Sequence, residues 1–551
     1  MTSPRTRWIG LFVISLAVSL IIVDSTIVNV AVPSIVDELG ITSTEVQWVQ
    51  ESYTLVFAAL LLVFGTLGDR FGRRRMLVIG TVIFILASVW AAFADSGSAL
   101  IMARVVQGVG GAMILPSTLS TLNATFQGRE RGIAFAVWGS TIGGMAAVGP
   151  LLGGWLTTDY SWRWAFGINV PLGIIIIIGL MLFVPATRSE HPQAIDFTGA
   201  LLSIVTSAAL VFGLIEGRTY GWWLAADALK LGDWEWPFAL SPVPISFAIS
   251  LTAGVTFVWW GLRRERAGKS TMLAFSLLRI GSFRNGNVAA LIVSMGEFGI
   301  ILTLPLWLQN VLGYSALQTG TILLALAGGS FLASGVSGAL SGRVTAVATV
   351  RVGIAAEIIG LVLIAMVIAT DTPWWSIALG LLIYGVGVGL ATAQLTGVVL
   401  QDVPVAASGQ ASGTQSTARQ IGSALGIAIL GTVLFTSLAS TLDAELDAAG
   451  LPPEARSGIV SAVVDSAGSA IPGLEAQSPE VAAAARQAFS DATRFSAFTA
   501  AGFLAIGLLA TLRLTSPVPG ASTGHRPEDE DAAASGEPTT GDRAAAPDAP
   551  A

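Results

Sequence analysis

The stretch GTLGDRFGRRRMLVIG, from Gly65 to Gly80, lies between two long apolar runs and packs Asp69, Arg70, Arg73, Arg74 and Arg75 into seven residues. Four arginines beside two hydrophobic segments mark a short cytoplasmic turn between membrane helices, because basic residues collect on that side. Gly65, Gly68 and Gly72 let two helix ends approach closely, and Asp69 can accept hydrogen bonds or pair with a basic group there. Two readings stand side by side. The turn is a plain topology signal, or it is a conformational switch carried by Gly65, Gly68, Asp69, Arg70, Gly72, Arg73 and Arg74.

The rest of the chain has the composition of a membrane protein. Its 551 residues are 53% hydrophobic and 11% charged, with a mean hydropathy of +0.74; a soluble domain carries about 25% charged residues. At ~20 apolar residues per spanning helix, there is room for more than a dozen spans. The net charge of −7 says little about partners, since the acids cluster in the tail and outer loops. Cysteine is absent, which excludes disulfides, thiolate metal sites and cysteine nucleophiles. His191 and His525 are the only histidines. No metal-ligand cluster, nucleophile elbow or nucleotide-binding loop is present in the sequence, so an enzyme with catalytic residues, a metal or a cofactor is not expected. No nucleic-acid partner is expected either.

Apolar runs fall near 8–33, 46–68, 76–94, 99–123, 132–156, 164–185, 197–216, 243–262, 286–308, 318–341, 350–369, 374–399, 415–437 and 493–514. The first is too long for a signal-peptide core and reads as a retained span. Fourteen spans put both termini on one side. With a cytoplasmic N-terminus the inner segments carry 18 Lys and Arg and the outer ones 6, leaving out the far tail, so both ends are expected in the cytoplasm. Residues 217–242, with Trp222, Trp223, Trp234 and Trp236, suit an outer loop at headgroup level. Residues 438–492 are rich in Ala, Asp and Glu, break at Leu451-Pro452-Pro453, and read as short outer helices. Residues 515–551 read as a disordered cytoplasmic tail.

Sliding the sequence by 273 residues lays Gly65, Leu67, Arg70 and Gly80 on Gly338, Leu340, Arg343 and Gly353, and Asp24 on Glu297. This suggests two related six-helix halves, 1–190 and 286–437 with 493–514. Two added central helices occupy 191–285, and an outer insertion fills 438–492. Repeats of this kind place a binding site near the midplane and rock about it.

A charge in a membrane helix costs ~2.5–3.5 kcal/mol on insertion scales, so each one asks for an interior position and a partner. Asp24, Glu51 and Arg104 fall in the outer halves of their spans and can share one cavity. Arg104, Gln107, Gly108 and Gly111 form one helix stripe. Asp24 reads as a proton-titrating carboxylate, its affinity raised by burial and lowered by Arg104, or as a static pair fixing helix register. Glu51 and Glu297 read as second proton sites, contacts for cationic substrates, or structural groups. Glu357 reads as structural or interfacial, and Arg419 as snorkelling to the cytoplasmic surface. In GSTIGGMAAVGPLLGGWL, Gly139 to Leu156, the residues Gly143, Gly144, Gly149, Pro150, Gly153 and Gly154 give a smooth, bendable face for close packing or for a gate.

These segments together resemble a known family. G-x-L-x-D-R-x-G-R-R at Gly65–Arg74 resembles the loop signature of the major facilitator superfamily. DSTIVNVAVP at Asp24–Pro33, RVVQGVGGA at Arg104–Ala112 and GPLLGG at Gly149–Gly154 are similar to the first-, fourth- and fifth-helix motifs of its fourteen-span drug:proton antiporter branch. The resemblance implies an all-α polytopic fold, with two six-helix halves and two extra central helices. It implies that the turn stabilises one of two access states and that Arg104 serves proton transfer. The implied function is proton-coupled export of hydrophobic or cationic drugs by alternating access. The proton gradient supplies the energy in place of a cofactor, and a monomer in the cell membrane is expected, with lipid bilayer, protons and a small-molecule substrate as partners. Exporters of lipid, siderophore or endogenous antibiotic on the same fold remain an alternative, as does a non-transporting sensor or scaffold.

Overall fold

The computed structural model describes residues 4–41, 43–188, 194–226, 229–231, 234–340 and 344–514. His191, Arg343 and the expected disordered tail 515–551 lie outside these. Long apolar runs in lipid must satisfy their backbone internally, and helices do so. The first group is α1 (Pro4–Leu39), α2 (Ser43–Phe71), α3 (Arg73–Ala92), α4 (Gly97–Thr125), α5 (Gly128–Asp159), the short α6 (Arg163–Gly167) and α7 (Asn169–Phe183). Then come α8 (Phe197–Glu216) and α9 (Pro242–Arg266), joined by a loop whose strands β1 (Lys230–Leu231) and β2 (Trp234–Glu235) pair antiparallel. The last group is α10 (Gly281–Asn310), α11 (Ala316–Leu340), α12 (Ala346–Val367), α13 (Trp374–Leu400), α14 (Ser408–Ala448), α15 (Pro453–Asp465), α16 (Ile471–Gln477) and α17 (Pro479–Ala510).

Thirteen stretches among the described residues are long and apolar enough to cross a membrane, α6 and α7 together making one of them. The expected fourteenth is α11, whose apolar stretch among the described residues, Leu317–Ala333, is shorter. Fourteen is reached only by counting it.

One packing scheme appears twice. Helix α1 lies on α5, and α2 and α3 lie on α4; likewise α10 lies on α14, and α11 and α12 lie on α13. The two groups meet where α2 touches α14 and where α5 touches α11 and α13. Helices α8 and α9 pair with each other, and α8 rests on α2 and α14. One buried apolar cluster draws only on residues 289–514, and a second is confined to Val23–Phe166 in the first group.

Helix ends are capped by side chains in the expected way: Ser96 accepts from Ala99 N, Asp196 from Gly199 N, and Thr345 from Ala348 N. Arg7 pairs with Glu130 at 3.1 Å, and Asn285 Nδ2 donates to the Arg513 carbonyl at 3.2 Å. The two described chain ends therefore share an end of the bundle with the Gly65–Gly80 turn.

The 438–492 segment differs from expectation. Helix α14 runs unbroken to Ala448 because Leu438, Leu442 and Leu446 continue its buried face at four-residue spacing. The chain turns only at Gly450, with φ of +79°, just before the Leu451-Pro452-Pro453 break. Likewise α17 starts at Pro479, and Ala482, Ala485 and Phe489 are already buried. Only α15 and α16 are the short helices anticipated.

Candidate functional site

Five helices converge on Asp24. Arg104 Nη1 donates to its Oδ2 at 2.5 Å, while Gln107 Nε2 and Asn169 Nδ2 donate to its Oδ1 at 3.0 and 2.7 Å. Arg104 also donates to the Gln107 amide oxygen at 2.8 Å and, through Nε, to the Val49 carbonyl at 3.1 Å. The Ser88 hydroxyl accepts from both Gln107 and Asn169, at 2.7 and 3.2 Å. The Tyr53 ring lies 4.3 Å from the guanidinium. Asp24 and Arg104 side chains are 0% and 2% exposed, so the pair is sealed from water in this conformation. The anticipated stripe on α4 faces inward: Gly108 and Gly111 bring the backbone against Tyr53 and Phe57 of α2. Sequence reading named Asp24, Arg104 and Gln107 but missed Ser88 and Asn169. The polar Asn169 beside the run PLGIIIIIGLMLF was the available signal.

Glu51 does not join this cluster. Its side chain shares a hydrogen bond with Glu216, at the end of α8, and Glu216 takes another from Thr219. Glu216 was not singled out from the sequence, since it follows the α8 span like an ordinary boundary residue. Beside it Arg218 lies over the Phe435 ring at 3.7 Å, and burial lowers its guanidinium pKa from the ordinary value.

The second group of helices holds its own pair. Glu297 of α10 accepts from Arg419 Nη2 at 3.4 Å and from the Thr392 hydroxyl at 2.7 Å. This corrects the snorkelling expected for Arg419. Helix α14 begins at Ser408, so Arg419 sits three turns inside the helix and its side chain is only 16% exposed. Glu357 is 0% exposed, on the buried face of α12.

At the shared end of the bundle, Asp69 ties α2 to both its neighbours. Its Oδ2 accepts from the backbone N–H groups of Gly409 and Gln410 at 2.7 and 3.1 Å, at the start of α14, where helix N-termini favour anions. Its Oδ1 takes Arg73 Nη2 at 2.8 Å, and the same Nη2 reaches the Val405 carbonyl at 2.6 Å. Gly65 makes the approach possible: a Cβ there would meet the Gly409 carbonyl at 2.5 Å and Gly413 Cα at 2.8 Å. Gly68 faces Ser117 and Met76. Gly72 has φ of +103°, which requires glycine, and it lets the chain reverse between α2 and α3. Arg74 donates to the Val184 carbonyl at 3.2 Å, and Arg70 lies over the Phe71 ring at 5.7 Å.

The glycine face of α5 is divided between two neighbours. Gly143 and Gly144 abut Ser330 and Phe331 of α11, and Gly154 faces Leu317. Gly149 abuts Thr26 of α1, two residues from Asp24, and Pro150 lies beside it inside the helix. Gly153 is buried, its carbonyl accepting from Thr157 at 2.6 Å.

Two bundles of one packing plan, with charged groups held inside each and a seam of small residues between them, define a membrane transporter of the repeat type. The Major Facilitator Superfamily profile matches residues 14–427, and the chain belongs to that family. The chain is 32% identical over 418 residues to the probable actinorhodin transporter of Streptomyces coelicolor, covering 74% of this chain and 69% of that one. It is 31% identical to the multidrug efflux pump LfrA of Mycolicibacterium smegmatis, covering 76% and 78%. Among solved structures, human organic anion transporter MFSD10 superposes with a TM-score of 0.56 at 14% identity, over 93% of this chain and 100% of that one. The proton:xylose symporter XylE gives 0.55 at 14%, over 93% and 95%.

Proposed function

We propose that this chain exports hydrophobic, often cationic, small molecules across the cell membrane, driven by proton entry through alternating access. The observation that carries the reading is the fully buried Asp24–Arg104 network, which spans α1, α2, α3, α4 and α7. A charge at that depth is costly to keep, and a proton carrier is the use that repays it. The names of the relatives, a multidrug efflux pump and an antibiotic transporter, support export as the direction. Both termini and the Gly65–Gly80 turn face the cytoplasm in this reading, following the arginine bias. Protons reach Asp24 from the outer side when the two halves tilt and water enters, and Arg104 is released from its carboxylate as substrate leaves. Each charge crossing the potential contributes ~2.3 kcal/mol per 100 mV. The Asp69 latch holds the cytoplasmic ends together in one access state, and the glycine face of α5 is the seam along which the halves move. Glu51 and Glu297 serve as further proton sites or as contacts for cationic substrates. A single chain contains every part named here, and no cofactor takes part.

A second reading, export of an endogenous antibiotic, is favoured by the probable actinorhodin transporter as a relative. The test is to measure internal alkalinisation or acidification of reconstituted vesicles as each candidate compound is added. Substrate-dependent proton flux with cationic dyes supports the first reading, and flux with uncharged antibiotics alone supports the second. Substrate movement without proton flux contradicts both.

A further inference from the structure

Inside the second group of helices two buried carboxyls, Glu297 and Glu357, face one guanidinium, that of Arg419. Glu357, midway along α12, is 0% exposed, and neither of its oxygens has a hydrogen-bond partner among the described residues. Its surroundings are tight: a Cβ on Gly387 of α13 would meet the Glu357 backbone nitrogen at 2.5 Å and its Cγ at 2.6 Å. The charged groups within electrostatic reach are Glu297 of α10 and Arg419 of α14. Tyr384 of α13 is the other titratable neighbour, and its hydroxyl donates to the Glu297 carbonyl at 3.3 Å. Arg351 and Arg494 lie toward the two ends of α12, donating to the Thr511 and Ile368 carbonyls. The nearby guanidinium is already committed, because Arg419 bonds Glu297, whose other oxygen takes Thr392.

An ionised carboxylate with no donor is the least favourable occupant of such a place, whereas a protonated acid is neutral and tolerates it. We propose that Glu357 is a proton-binding site of this half, protonated in this conformation, while the neighbouring Glu297 holds Arg419 and Thr392. When the halves tilt and water enters, the Glu357 O–H bond breaks and the proton passes to cytoplasmic water. Arg419, within reach of both acids, then compensates the new charge until a proton returns from the outer side. This rests on proton-coupled export and adds a second proton to the one at Asp24. Two protons inward for one monovalent cation outward move one net charge per cycle; a single proton moves none.

The experiment uses right-side-out vesicles containing the full chain, with ethidium on both sides and no pH difference. A potassium diffusion potential of about 60 mV, negative inside, is then imposed; one net charge at that voltage corresponds to about tenfold. Wild-type protein is expected to drive ethidium outward, against the voltage, to about tenfold. Glu357→Gln, whose amide has the shape of the protonated acid, is expected to lose this response and to keep outward accumulation under a pH gradient. A voltage response that survives in Glu357→Gln overturns the proposal, as does one abolished in Glu297→Gln instead. Wild-type protein that answers a pH gradient but not the voltage also overturns it, without any variant, and leaves coupling at Asp24 standing. No response of the wild type to either gradient overturns both.

Discussion

In the first group of helices Asp24 meets Arg104 at 2.5 Å with side chains 0% and 2% exposed; 273 residues later Glu297 meets Arg419 at 3.4 Å with the guanidinium 16% exposed. The acid keeps its place in the repeat, but its partner does not. Arg104 comes from α4, packed beside α2 and α3, whereas Arg419 comes from α14, the counterpart of α5. The first carboxylate is saturated by three side-chain donors, and the second shares its surroundings with the unpartnered Glu357. The two acid positions thus sit in different surroundings, one sealed and one looser. The turns diverge in the same way. Asp69 latches α2 to α14, but the matching position, Gly342, has no carboxylate to offer.

The most damaging change should be Arg104→Met. It strands a fully buried carboxylate, and breaking such a pair costs about 3–5 kcal/mol. Efflux should vanish and the melting temperature of the purified protein should drop; a variant as stable and active as wild type removes the sealed pair from the comparison. Next comes Asp69→Asn, which weakens charge-assisted bonds to Gly409, Gln410 and Arg73 together, each worth ~1.5–3 kcal/mol. Dye turnover should fall about tenfold, at ~1.4 kcal/mol per factor of ten, and a spin-label distance between the cytoplasmic ends of α2 and α14 should broaden. An unchanged distance distribution means that the latch is ornamental to the cycle.

Gly149→Ala should follow, since the added methyl collides with Thr26 and overpacking costs about 1–3 kcal/mol. Thr26→Ala in the same chain should restore part of the lost transport rate, which checks that the collision and not helix bending is responsible. The smallest loss of stability is expected from Glu297→Gln, because its pair with Arg419 is longer and less sealed than that of Asp24 with Arg104. Thermal unfolding compares it directly with Arg104→Met, and equal losses contradict the contrast between the two halves.

Much of this was legible in the sequence because membrane helices announce themselves. The apolar runs located most helices to within several residues, α14 and α17 excepted, and Asp24 with Arg104 stood out as charges that lipid does not tolerate. Legibility failed where a signal depends on a partner far along the chain. Nothing local says that Glu51 turns away from Asp24 toward Glu216, because that contact depends on α8 packing against α2. Arg419 looked like a helix-start residue because the polar stretch SGQASGTQST hid the first turns of α14. Those Gly and Ser residues are small for a reason visible only in three dimensions: Gly409 and Gly413 receive Gly65. Leu438, Leu442 and Leu446 carried the extension of α14 in plain view, but the Asp and Glu between them masked the four-residue period.

The most direct test separates coupling from carriage. Reconstituted Asp24→Asn should still exchange labelled dye across the vesicle membrane when dye is present on both sides, yet it should build no gradient of dye when a pH difference is imposed. Gradient-driven accumulation in Asp24→Asn equal to that of the wild type would contradict a proton-carrying role for this carboxylate and leave its network a matter of folding alone.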